Sequence, residues 1–143
     1  MAQEYKTLLH RWFEEVWNQG REDAIDEMFA KDGIINGLND PQGNPARSLE
    51  EYKGFFRAFR AAFPNIKVTV EDTVTEGDKI AARCTVKALH EGDGIGLAPT
   101  NMPVGFTGMT IVRLKNGKIA EAWNEFDFMK LYQQLGIVTL NQQ

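Results

Sequence analysis

The groups able to move a proton are few. His90 is one of two histidines, and an imidazole with an ordinary pKa of about 6.5 suits general-base work around neutral pH. Asp127 closes the run AEAWNEFD at 120–127. Strand periodicity sorts that run into Ala122, Asn124 and Phe126 on one side and Glu121, Trp123, Glu125 and Asp127 on the other. A carboxylate facing a pocket could serve as a general base. Asn124 is a carboxamide: it donates and accepts hydrogen bonds but does not titrate near neutral pH. Two of these groups have a second reading, Asp127 as a helix cap and His90 as a hydrogen-bonded structural residue at a strand end. Arg83, in mid-strand, could hold a carboxylate or enolate, or make an outward salt bridge or dimer contact. His10 and His90 lie far apart, without acidic partners at ligand spacing, and Cys84 is the only cysteine. No metal site and no intrachain disulfide is therefore expected.

These residues need elements to hold them. Residues 106–136 read as a β-hairpin running into a helix: 106–114 is rich in Phe, Thr, Ile and Val, Asn116-Gly117 makes the turn, 119–126 returns, and Asp127 opens a helix ending at Gly136. In the first of these strands Gly108, Thr110, Val112 and Leu114 share a face, opposite Thr107, Met109, Ile111 and Arg113. Two strands cannot cover their own apolar faces, so the rest of the chain must. Upstream, Leu9, Trp12, Phe13 and Val16 recur at helical spacing over 3–19, and 21–29 makes a short second helix with Glu22 and Asp23 in its first turn. A short strand at 33–36 precedes a Gly- and Pro-rich loop at 37–47. Ser48 and Glu51 match a capping box that opens a third helix, stopped by Pro64. That helix carries Tyr52, Phe55, Phe56 and Phe59 on one face, the three phenylalanines read as core. Strands follow at 67–76 and 80–90, then a loop at 91–103. Three helices, four long strands in meander and a closing helix predict an α+β fold, with helices on one face of a curved, mostly antiparallel sheet and a pocket between the layers.

Composition bounds the rest. At 143 residues the chain is expected to be one domain over 1–143. The net charge of −4 and scattered basic residues argue against a nucleic-acid partner. No apolar run is long enough to span a bilayer, and the first residues, MAQEYKTLLH, lack the form of a secretory signal. A soluble, cytoplasmic protein is the expectation.

Several strings resemble the SnoaL-like polyketide cyclases of the NTF2-like superfamily: WFEEVWNQG (12–20), FAKD (29–32), AAFPNIKVTVED (61–72), EGDKIAAR (76–83), GLAPTNMPVGFTG (96–108) and, most characteristic, NGKIAEAWNEFDFMKLYQQLG (116–136). The resemblance implies a cone-shaped fold, a homodimer through the outer sheet face, and no metal or organic cofactor. It implies ring closure by intramolecular aldol condensation, with an Asp late in the final strand as the base. In this chain that place falls on Asn124. The histidine that assists it falls on Thr110, the family's pocket asparagine lies near Asn36, and His90 matches a histidine common at the end of the second long strand. The expected substrate-binding residues are Asn124, Asn36, Thr110, Arg83 and Trp12, and the expected proton-moving residues are His90 and Asp127. The ligand is expected to be a small, apolar carbonyl compound. Three functions remain open at this point: a cofactor-free cyclase or isomerase, a small-molecule binding protein that keeps the pocket without the chemistry, and a protein-interaction module.

Overall fold

The computed structural model describes residues 5–39 and 43–138. Residues 3–4 of the expected first helix and 40–42 of the expected loop lie outside them. The first helix begins at α1 (Leu8–Arg11), where the Thr7 hydroxyl accepts from the His10 backbone N–H. It continues as a π-helical segment, Trp12–Asn18, in which the Gln19 N–H reaches five residues back to the Glu14 carbonyl. Its wide turn sends Trp12, Phe13, Val16 and Trp17 inward together. Glu15 is buried beside them and held by Arg11 and Arg21. The Arg11 guanidinium keeps its carboxyl below the usual range despite the burial.

α2 (Glu22–Met28) passes directly into β1 (Phe29–Asn36), which is longer than the expected 33–36. α3 (Leu49–Ala62) opens with both halves of the capping box in place, Ser48 accepting from the Glu51 N–H and Glu51 from the Ser48 N–H. Then come β2 (Lys67–Glu76), β3 (Lys79–Leu89), β4 (Pro103–Lys115), β5 (Lys118–Phe126) and α4 (Phe128–Gln134). At the β4–β5 turn Asn116 and Gly117 both take positive φ, 53° and 77°, as the Asn-Gly pair predicts.

β2 to β5 form the expected antiparallel meander. The sheet is nevertheless mixed, because β1 completes it as an edge strand running parallel to β5, in the order β1-β5-β4-β3-β2. The helices cover one face. The inward residues of the strands (Ile80, Ala82, Cys84 and Val86 in β3, for example) join those of the helices in one buried cluster reaching from Leu9 to Leu135. The opposite face leaves Ile34, Val74, Met109, Ile111 and Trp123 exposed. Among the described residues no helix is long and apolar enough to cross a membrane.

Candidate functional site

Between the helices and the inner face of the sheet lies a cavity of about 50 Å³, walled by Trp12, Phe13 and Trp17 from the π-helical segment, Tyr52, Phe55 and Phe59 from α3, and Phe106, Asn124 and Phe126 from the last two strands, with Phe128 of α4 beside them. A second hollow of about 20 Å³ shares Trp12, Tyr52 and Asn124 and adds Thr110. A water needs ~10–15 Å³ of such space, so the first hollow holds a few waters. A ring-sized guest enters only if side chains give way. Of the wall residues, Asn124, Phe126 and Phe128 keep partial exposure.

The periodicity of β5 turns Asn124 inward, as expected. Its Nδ2 donates to the Asn36 carbonyl at 3.0 Å, and its Oδ1 accepts from the Thr110 hydroxyl at 2.8 Å. The same hydroxyl lies 3.1 Å from the Trp123 carbonyl oxygen. The amide thus ties β1, β5 and β4 together and still has one N–H and one lone pair unused among the described residues. Gly37 makes this approach possible. Its φ is +88°, and a Cβ there would fall on the Asn124 carbonyl oxygen.

The other expected residues divide. Trp12, Thr110 and Asn124 come together at the hollows. Asn36 contributes only its carbonyl oxygen: its side chain stands on the outer face, where Nδ2 meets Glu121 Oε2 at 3.1 Å. Ile35, its neighbour, is the inward residue, a one-residue shift that reverses the face. Arg83 also points outward. It lines a hollow on that face with Thr107, Met109, Glu125 and Asp127, and neither it nor Asp127 lines the cavity. Asp127 is exposed and caps α4, accepting from the Lys130 N–H at 3.0 Å.

His90 is fully buried but is not part of the cavity wall. Its Nδ1 accepts from the Thr100 N–H at 3.2 Å and lies 3.0 Å from the Thr100 hydroxyl. That assigns the proton to Nε2, which has no hydrogen-bond partner among the described residues. The ring packs on Phe63, centroids 5.4 Å apart, and its backbone pairs with Asn101 and Met102. His90 here fastens the 91–102 loop.

Among the described residues, those lining the cavity carry no carboxylate, imidazole, ammonium or guanidinium group. Its polar atoms are the Asn124 amide, the Tyr52 phenol and the indole N–H groups of Trp12 and Trp17. Burial pushes the phenol up, so it stays neutral. Burial likewise pushes the Cys84 thiol up to about 12, too high for a thiolate nucleophile. Among the described residues no cluster of His, Cys, Asp and Glu could hold a metal ion. Sequence reasoning placed Tyr52 on the aromatic face of that helix with Phe55, Phe56 and Phe59 and gave it no site role. The signal it passed over was the hydroxyl itself, which must find a partner when buried at helical spacing among Phe residues.

A family model described as SnoaL-like polyketide cyclase matches residues 7–135. The chain belongs to that family. Its fold is the NTF2-like cone, and solved SnoaL-like structures superpose on it along most of its length. IdmH, a candidate polyketide cyclase from Streptomyces antibioticus, is 29% identical, with 87% of this chain and 93% of that one covered and a TM-score of 0.73. A candidate polyketide cyclase from Bacillus cereus is 28% identical over 92% of this chain and 79% of that one, with a TM-score of 0.75. AclR, a candidate hydroxylase from Streptomyces galilaeus, is 23% identical over 95% and 87%, with a TM-score of 0.78, a likeness of fold alone. No curated protein matches the sequence. This SnoaL-like chain therefore combines its family's fold with an amide where the family resemblance expects an acid.

Proposed function

We propose that the chain binds a small, largely apolar compound bearing a carbonyl group in the cavity, with Asn124 orienting it. The observation that carries this reading is a wall of aromatic and aliphatic groups in which the Asn124 amide keeps spare hydrogen-bonding capacity. The described wall residues supply shape and hydrogen bonds but no general base, which favours binding without turnover. Trp12 and Trp17 stand in the wall, so their fluorescence reports occupancy. Titration with an aryl methyl ketone such as acetophenone should quench it to saturation, with no product after prolonged incubation. A flat titration up to the solubility limit ends this reading.

Family membership supports a second reading, cofactor-free ring closure of a carbonyl compound. A base takes the α proton, the enolate carbon attacks a second carbonyl to form the C–C bond, and the resulting alkoxide takes a proton back. The chain's remaining candidates for the proton are His90 and Asp127, and both stand outside the cavity wall. If a methyl-ester polyketide is turned over, His90→Ala or Asp127→Asn should lower the rate by about 100-fold or more, the least that positioned acid–base catalysis contributes. Equal rates in both variants and wild type remove these bases.

We also propose a single cytoplasmic domain that forms a homodimer through the outer sheet face. There Ile111 and Trp123 pair across β4 and β5 and are exposed together with Met109. Sedimentation should give twice the chain mass, and Trp123→Lys should halve it. A wild-type monomer at micromolar concentration rules this out.

A further inference from the structure

We propose that the Tyr52 hydroxyl is a second hydrogen-bond donor of the cavity, giving its proton to the ligand's carbonyl oxygen while the Trp17 indole holds the phenol in place. This inference rests on the ligand reading above and deepens it. Tyr52 projects from the inner face of α3 and belongs to the walls of both hollows. The Trp17 Nε1–H donates to its oxygen at 2.9 Å, and the Trp12 ring packs against the Tyr52 ring, centroids 5.6 Å apart. An indole N–H only donates, so the phenol oxygen accepts from Trp17. The hydroxyl's own proton has no acceptor among the described residues. At 4% exposure bulk water does not supply one.

A buried donor left without an acceptor costs free energy, and Phe would fill the same space, as it does at Phe55, Phe56 and Phe59 on the same helix face. Placing the tyrosine here instead puts one neutral O–H in an apolar chamber. Donation into its oxygen by the Trp17 indole polarises that O–H and makes it a stronger donor. Asn124 has one free N–H on the opposite, sheet side of the same chamber. Two neutral donors and no cation suit a carbonyl oxygen better than a carboxylate or phosphate, whose charge would be buried uncompensated.

The test compares acetophenone with α-methylstyrene, which replaces its C=O by C=CH₂ at nearly the same shape. Wild type should bind the ketone more tightly than the alkene. Tyr52→Phe should weaken the ketone by about 3- to 10-fold, the worth of one neutral hydrogen bond, and leave alkene affinity unchanged. Equal weakening of both ligands, or of neither, overturns the role of Tyr52 and leaves the ligand chamber standing. Binding of neither ligand by wild type overturns both. A second measurement starts from wild type: the infrared C=O stretch of isotopically labelled acetophenone bound to it should lie below its value in cyclohexane. An unshifted stretch in wild type, or a shift fully retained in Tyr52→Phe, also overturns the proposal.

Discussion

Gly37→Ala should destabilise the protein by about 3–4 kcal/mol and lower its melting temperature by about 10 °C. Two costs combine. The residue sits at φ +88°, where a side chain costs roughly 1–2 kcal/mol. The new methyl group would also land on the Asn124 carbonyl oxygen. That atom is backbone, bound into the β5 ladder, and cannot swing aside as a flexible side chain would. Relief requires β1 and β5 to separate where the Asn124 amide crosses to the Asn36 carbonyl, adding about 1–3 kcal/mol of overpacking strain. Gly54→Ala supplies a contrast of opposite sign. Gly54 lies inside α3, exposed, with nothing near its missing Cβ, so alanine should stabilise by about 0.5–1 kcal/mol. Chemical denaturation of both variants checks the pair. A Gly37→Ala variant within 1 kcal/mol of wild type contradicts the packing described for this strand end.

Asn124→Asp should make stability pH-dependent in a way wild type is not. The Asn124 Nδ2 donates to the Asn36 carbonyl oxygen; a carboxylate oxygen there would face that carbonyl with no proton between them, in an apolar wall. Both effects favour the neutral acid, so the introduced group's folded-state pKa rises above its unfolded value of about 3.9. A raised folded-state pKa gives a contribution fully present below pH ~3.9 and lost as pH climbs through the folded-state value. Each unit of rise costs about 1.4 kcal/mol at the alkaline end. The gap in melting temperature between wild type and variant should therefore be small near pH 4 and widen toward pH 8. A gap constant with pH would mean that the new carboxyl reaches solvent or finds a donor. The same substitution restores an acid at the place the family resemblance assigns to the base, so turnover gained by the variant and absent from wild type would tie the amide to the loss of chemistry.

Local signals carried much of the architecture into the sequence. The Ser48–Glu51 box, the Asn116-Gly117 turn, the Asp127 cap and the alternation that turns Asn124 inward are all written within a few residues, and each has its expected partner in the structure. What was not legible depends on distant pairing or on alternatives that share one pattern. An apolar stripe at i and i+4 suits an α-helix and a π-helix alike, so Trp12–Asn18 gave no warning of its wider turn. The parallel pairing of β1 with β5 has no local signature, and without it the register of Asn36 could not be set. His90 lies one residue past the end of β3 rather than in it, and only the packing of the 91–102 loop on α3 reveals why it is enclosed: the Glu91 and Gly92 N–H groups bond the Ala62 carbonyl.

The place of β1 in the sheet also bears on how the molecule is assembled. The amide link between Asn124 and Asn36 joins positions 88 residues apart, whereas each hairpin of the meander closes over a short turn or loop. Loop-closure entropy favours the hairpins first. During synthesis the N-terminal strand emerges early and must wait, its pairing edge open, until β5 has cleared the ribosome. The β1 edge of the chamber therefore closes after the meander has formed.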